Sequence, residues 1–501
     1  MSGFVADPKT GVRVKLQKCM IDDLWLQERE PYFGSELIPV ERPVHSGHGK
    51  KRIDQCKAKH RTDIKVNEWA EANYWGTTST ADLIGTDVAY PVSPQIDRVH
   101  QSRLSVEQFI ETYEKPAIPC MLTGCADHWK ARTEWSYDNY LKRYGNVLLK
   151  CGEDDDGYKV KIKVKYFLEY MYLQRDDSPL YLFDSSFDES ADTKGLLDHY
   201  DLPKYFREDL FRLVGEKRRP PYRWFLIGPK RSGTTVHIDP LATSAWNTLI
   251  RGRKRWILFP PETPQKLVKG KHHVKPHEDD EAIDWFLKIL PRIKAEGRAR
   301  GNFTYVEFIQ YPGDTIFLPG GWWHAVLNID DSVAVTQNFC DSTNFCEVWL
   351  KTRKGRKKMA VKFLEQLDIH YPHLAAKARA LNARDSFVMR QISSKADKKR
   401  KKRDKDDANG GTGATAEADS IRTKALKTEI DGSPNDMDGL DEDLAKLKSG
   451  KHSRKHNSNK TVHLASAALP GDTKDDDSSS SDSTSSSSSS SSSSEDEDDA
   501  Y

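Results

Sequence analysis

The chain has 501 residues, 37% hydrophobic and 31% charged, which makes it more polar than an ordinary compact domain. Its formal net charge of +2 conceals a basic block at Lys398–Arg403 and an acidic one at Glu495–Asp499, a pattern of interaction segments on a tail and not of a fold. No apolar run reaches the roughly 18 residues of a spanning helix. The N-terminal stretch lacks the apolar core of a secretory signal, and the seven cysteines show no CxxC spacing, so reduced thiols of the cytosol or nucleus are expected.

Aromatic and β-branched residues concentrate between about Leu104 and Leu381, so one packed domain with polar flanks is expected. Residues 1–50 mix Pro, Gly and charge without a period and read as loop or disordered. Lys50–Arg61 is a basic segment able to form a helical arm. Ser105 with Gln108 forms a capping-box pattern that opens a helix over Val106–Glu114, stopped by Pro116. Trp135–Tyr144 reads as a short helix closed by Gly145. Val160, Ile162 and Val164 alternate with lysines as a half-buried strand leading into a helical Tyr166–Gln174.

From Tyr222 the texture changes to short strands: Arg223–Gly228, Thr235–Asp239, Ser244–Ile250, Lys254–Phe259, Thr304–Tyr311, Thr315–Leu318 and Ser332–Phe339. Gly228-Pro229, Arg251-Gly252, Pro260-Pro261 and Pro312-Gly313-Asp314 punctuate them. Such a run favours a sandwich or jelly roll. Asp280–Lys294 interrupts it as a helix with Ile283, Phe286, Leu287 and Leu290 on one face. After Asn344 the pattern is helical through Leu381, and Ser478–Ser494 is nearly pure serine, a tract that cannot bury apolar surface. The expected organisation is an N-terminal extension over 1–49 and a helical and mixed part over 50–215. A jelly-roll core over 216–344 and helices over 345–385 follow, with a disordered basic, then serine-rich acidic tail over 386–501.

His237-Ile238-Asp239 places two metal-capable side chains at i and i+2, on one face of a strand. His324, ending Phe317–His324 (FLPGGWWH), supplies a third ligand. Two histidines and a carboxylate with open positions describe the facial triad of non-haem iron oxygenases, which leaves room for 2-oxoglutarate and dioxygen. An isolated His-x-Asp is by itself a surface hydrogen-bonded pair, and its company makes the case. Lys254 shares a strand face with Trp256 and Leu258, and a lysine on an apolar face needs an anionic partner, such as the far carboxylate of 2-oxoglutarate. Thr336 and Asn338 also share a face. Weaker signals are His272, His273 and His277, which read as a solvated loop before a zinc site. Ser232-Gly233 does not form a G-x-S-x-G elbow. Trp322 and Trp323 read as packing beside His324.

Glu216–Phe259 (EKRRPPYRWFLIGPKRSGTTVHIDPLATSAWNTLIRGRKRWILF) and Pro312–Asn344 (PGDTIFLPGGWWHAVLNIDDSVAVTQNFCDSTN) closely resemble the jumonji-C family of bifunctional arginine demethylases and lysyl-hydroxylases, formerly called phosphatidylserine receptors. The resemblance runs from about Lys50 to about Leu381, and the serine-rich acidic tail recurs. It implies an α+β fold built on a double-stranded β-helix with flanking helices and disordered tails. It places His237, Asp239 and His324 on the family's iron ligands. Lys254, Thr234, Asn247, Thr336 and Tyr181 fall on its 2-oxoglutarate contacts, with Asn338 close by. The implied chemistry is Fe(II)- and 2-oxoglutarate-dependent, with ascorbate as reductant. It hydroxylates lysines of arginine/serine-rich splicing factors and histone tails, with arginine demethylation as a second activity. Residues 1–49 are an extension the family lacks, and Lys395–Lys474 is longer than expected.

A nuclear address is expected from Lys398–Arg403, reaching nucleoplasm and nucleolus, with self-association through the tail. Two other readings compete. A non-catalytic scaffold for RNA and splicing factors would use the basic segments, but has no need of an intact triad with Lys254. A phosphatidylserine receptor needs the signal and span that the chain does not show.

Overall fold

The computed structural model describes residues 4–6, 13–15, 47–85, 96–301 and 303–389. Most of 1–49, and the basic, serine-rich and acidic blocks of the tail, lie outside the described residues. All strands and helices named here belong to one compact unit.

Two strands, β1 (Phe4–Ala6) and β2 (Arg13–Lys15), pair near the N-terminus, where only loop or disorder was expected. The basic arm is helix α1 (Gly47–His60). Strands β3 (Asp97–His100) and β4 (Cys120–Thr123) flank α2 (Val106–Phe109). Both halves of the expected capping box form there, Ser105 accepting from the Gln108 N–H, and the helix continues as a π-turn to Glu114. Then come α3 (Tyr137–Tyr144), the hairpin β5 (Leu148–Glu153) and β6 (Lys159–Lys163), α4 (Val164–Leu173) and β7 (Leu182–Asp184).

The remaining strands build the jelly roll. They are β8 (Arg223–Gly228), β9 (Gly233–His237), β10 (Ser244–Arg251), β11 (Lys254–Phe259), β12 (Val306–Gln310), β13 (Thr315–Leu318), β14 (Trp323–Asn328) and β15 (Ser332–Phe339). A large sheet runs β3-β4-β13-β10-β15-β8-β7 and a small one β12-β11-β14-β9. Apart from β11 and β12, successive strands from β8 onward alternate between the sheets, the double Greek-key path of a jelly roll. Alternation along each strand sorts the side chains. Trp246 on β10 faces outward into a cluster with the N-terminal helices. Its neighbour Ala245 faces inward with Trp256, Leu258, Phe308, Ile316 and Val326, filling the space between the sheets.

Three expectations change. Strand β9 ends at His237, because Pro240 lacks an N–H to extend the ladder and opens a short 3-10 turn, so Asp239 lies just past the strand in extended backbone. β14 was not expected at all, since its six residues are buried on both faces and show no alternation. The insertion is three segments, Ala282–Asp284, a π-turn Trp285–Ile289 and helix α5 (Leu290–Arg300). Pro291 cannot donate to the preceding turn, which widens. Ile283, Phe286 and Leu290 are buried as expected, with Trp285, Ile289 and Ile293 added, and roof the outer face of the small sheet through Ile257, Phe259 and Leu327. Helices α6 (Phe345–Gly355), α7 (Lys357–His370) and α8 (Pro372–Arg384) pack with Leu210 and Phe211 in their own cluster. Among the described residues no helix is long and apolar enough to cross a membrane, and their six cysteines are free thiols.

One buried carboxyl makes the fold sensitive to alkali. Burial, then the charge of Asp341, pushes the Glu114 carboxyl up to about 9, whereas an unfolded Glu titrates near ~4.3. A group raised in the fold contributes stability present below ~4.3 and lost as pH climbs toward the folded value. Glu114→Gln keeps the shape and removes the titration. The variant should be more stable than wild type at pH ~8 by on the order of 2 kcal/mol, a rise of several degrees in Tm, and equal to it near pH ~4.5. Thermal unfolding at both pH values checks this, and a variant that melts lower at pH ~8 contradicts it.

Candidate metal and anion site

The last residue of β9 and the second of β14 face each other across the small sheet, since His237 pairs with His324. Their ring centroids are 4.1 Å apart. Asp239 comes to the same point from the turn after β9, with its Oδ1 3.9 Å from His237 Nε2 and 3.8 Å from His324 Nε2. Each imidazole Nδ1 meets a main-chain carbonyl, Thr235 O at 2.7 Å for His237 and Trp322 O at 3.1 Å for His324. A carbonyl only accepts, so Nδ1 carries the proton and the Nε2 lone pair of each ring is turned to the common point.

Burial pushes both imidazoles down to about 4, and for His237 the neighbouring His324 adds to it, so both are neutral at physiological pH, the state a metal ligand needs. Burial raises the Asp239 carboxyl, and His237 and the Asn338 amide partly offset this. Two neutral nitrogens and a desolvated carboxylate oxygen, all within 4.8 Å of one another, fit a divalent iron ion with coordination positions to spare.

The turn that carries Asp239 is held under strain. Leu241 and Ala242 have φ of 59° and 56°, a region that side-chain-bearing residues rarely adopt. Asn338 donates to Thr243 Oγ1 at 3.0 Å, and Thr243 donates to Pro240 O at 2.9 Å. A Cβ on Gly320 would stand 2.2 Å from Ala242 O, so only glycine lets the segment before His324 close on this turn. Trp256 stacks on His324 with centroids 6.1 Å apart. Trp323 is buried as packing, and the Trp322 indole donates to Ala117 O at 2.9 Å.

Lys254 begins β11 on the inward face, and only 2% of it is exposed. Its ammonium donates to Tyr181 Oη at 3.2 Å, and no carboxylate among the described residues pairs with it. Burial alone pushes it down to about 7. It is no solvated lysine. Leu258 pairs with His324 and Lys254 with Asn328, so the lysine sits four residues further along the strand, roughly 13 Å. Its side chain spans part of that interval, and a short dicarboxylate fits the rest.

Asn247 and Thr336 are direct neighbours across β10 and β15, on the inward face with Ala245 and Asn338. β15 is an interior strand of the large sheet, between β10 and β8. Thr336 donates to Trp246 O at 2.8 Å. Thr234 turns to the side of Val326 through a bulge but stays exposed there: His237 pairs with His324 and Thr234 with Val326, so two residues of β9 oppose Ala325 alone and the face inverts. The fold thus directs the remaining residues singled out for iron and co-substrate into one space, while His277 stays apart from the His272 and His273 pair. Sequence reasoning missed Gln310. It accepts from the Trp256 indole at 2.9 Å and donates to Asn247 O at 2.9 Å, tying the two walls together. A glutamine on an expected strand carries no mark of that task.

A jelly roll with this donor set defines the class, a JmjC hydroxylase, and the family model described as "JmjC domain, hydroxylase" matches residues 224–339. The chain is 42% identical over 324 residues to the bifunctional arginine demethylase and lysyl-hydroxylase of Caenorhabditis elegans, covering 65% of this chain and 78% of that one. It is 38% identical over 263 residues to an arginine-specific demethylase of Arabidopsis thaliana (52% and 49%). It is 26% identical over 265 residues to a 2-oxoglutarate and iron-dependent oxygenase of Homo sapiens (49% and 61%). The chain belongs to the family of the bifunctional arginine demethylase and lysyl-hydroxylase. It is an oxygenase that depends on iron and 2-oxoglutarate.

Proposed function

We propose that the protein hydroxylates lysine side chains of arginine/serine-rich splicing regulators and histone tails, and removes N-methyl groups from arginine as a second reaction of the same site. His237, Asp239 and His324 would hold the iron. Lys254, with Tyr181, Thr234, Asn247 and Thr336, would hold 2-oxoglutarate, with Asn338 positioning the Asp239 turn. The observation that carries the co-substrate part of this reading is the Lys254 ammonium, buried without an anion yet sharing the inward space with the triad; the likeness to the bifunctional arginine demethylase and lysyl-hydroxylase supports the substrate part. Leaving such a charge unpaired costs several kcal/mol, and a dicarboxylate reaching from the metal would compensate it.

Bound iron and 2-oxoglutarate supply the oxidising power for attack on a C–H bond. The protein's part is to keep the imidazoles neutral and aimed, orient the co-substrate by its far carboxylate, and keep bulk water from the enclosed end. On a lysine carbon the product is a stable alcohol. On an N-methyl group the hydroxylated carbon leaves as formaldehyde, so one site serves both reactions.

Mass spectrometry of lysine-rich and methylarginine-containing peptides incubated with the full chain, Fe(II), ascorbate and 2-oxoglutarate tests this. Gain of one oxygen on lysine is expected, with slower loss of methyl from arginine. Succinate formed without either change on any such peptide contradicts the substrate assignment and leaves the oxygenase intact.

A further inference from the structure

The insertion that roofs the small sheet holds a second convergence of metal-capable groups. His272 and His273 lie in a 3-10 turn, Lys271–His273, that follows Gly270. His272 Nε2 and His273 Nε2 each stand 2.7 Å from the same atom, Glu296 Oε2, on α5. The two rings have centroids 4.2 Å apart. Consecutive residues ordinarily point apart, and here the backbone makes them converge. Gly270 has φ +61° and packs so tightly that a Cβ would meet Ile293 and Ile289 at 2.6 and 2.9 Å. Arg292 donates to His273 O at 2.7 Å and pairs with Glu278. The turn is therefore fastened to α5 by contacts that do not involve its imidazoles.

We propose that His272, His273 and Glu296 form a second metal site, for a borderline divalent cation of the zinc type, separate from the catalytic iron. Two imidazoles select such an ion over magnesium or calcium, which prefer oxygen. Zinc bonds of ~2.0–2.2 Å set ligand atoms about 3.3 Å apart, so the two 2.7 Å His–Glu edges must each open by roughly 0.6 Å, which partly exposed side chains allow. An ordinary carboxylate is ionised at neutral pH, so Glu296 supplies an anionic oxygen. Arg300 occupies the other oxygen, Oε1, through its Nε at 3.0 Å and leaves Oε2 to the ion. Three protein ligands leave a position for water. The bound ion would staple the turn to α5 beside Lys269, whose ammonium lies 5.5 Å from the centre of the Trp323 ring, the residue before His324.

The test counts zinc on the full chain after metal removal and equilibrium dialysis, comparing wild type, the His272→Ala/His273→Ala double variant and Glu296→Gln. Both variants should retain one zinc per chain fewer than wild type, and 2-oxoglutarate turnover with added Fe(II) should persist, which shows that the variants fold. Equal zinc in all three proteins overturns the site. Loss in the double variant alone overturns the part assigned to Glu296. Neither outcome touches the lysine-hydroxylase reading, which fails instead on absent peptide products.

Discussion

Asp239→Ala is expected to abolish 2-oxoglutarate turnover, by at least ~100-fold, while the metal-free protein melts no lower than wild type. Asp239 is the only carboxylate of the three groups that converge on the site, so its loss removes the one ligand whose charge offsets that of iron. Losing a mere supporting partner of a metal ligand already costs ~10–100-fold. Stability runs the other way without metal, because burial already disfavours the Asp239 charge and removing a buried carboxylate that is only partly compensated relieves that cost. A ligand at ~100 times its Kd stabilises the native state by about 2.7 kcal/mol, so wild type should gain several degrees in Tm with metal at the iron site and the variant should gain little. Succinate production at the wild-type rate, without added carboxylate, would remove Asp239 from the iron site.

Lys254→Ala should raise the KM for 2-oxoglutarate by ~10- to 100-fold, the weight of one charge-assisted contact of about 1.5–3 kcal/mol, with iron content unchanged. The pH dependence provides a sharper test. With burial holding Lys254 at about 7 in the free protein, the ammonium is largely neutral at pH ~8.5. A carboxylate beside it restores the charge, so binding should take up about one proton there and almost none at pH ~6. Apparent affinity should therefore fall as pH rises above about 7, approaching tenfold per unit, and this slope should vanish in the variant. Titration calorimetry in buffers of different ionisation enthalpy measures the proton directly. A flat profile in wild type, or an unchanged KM in the variant, would mean that the far carboxylate sits elsewhere.

Much of the site is local chemistry and so was legible in the chain. The i, i+2 spacing of His237 and Asp239, the glycines before His324 and the shared face of Lys254, Trp256 and Leu258 each follow from residues a few positions apart. Short strands between turn residues indicated the jelly roll, and Arg223–Gly228, Lys254–Phe259, Thr315–Leu318 and Ser332–Phe339 begin and end where they were expected.

What only the tertiary structure decided has one physical cause: periodicity reports burial on one face and contact along the chain, and nothing else. β14 is buried on both faces, so Trp323–Asn328 shows no alternation. β4 joins the large sheet by pairing with β13, nearly two hundred residues away (Met121 with Ile316), and that pairing leaves no local trace. The bulge that turns Thr234 to the side of Val326 exists only because β9 must match β14 at His324 and again at Val326. Tyr181 meets Lys254 across the fold, and burial without an anion is what separates that lysine from a solvated one. Glu296 reaches His272 and His273 only because Gly270 lets the turn close on α5; the sequence alone shows two adjacent histidines in a charged loop, and the third ligand comes from the packing.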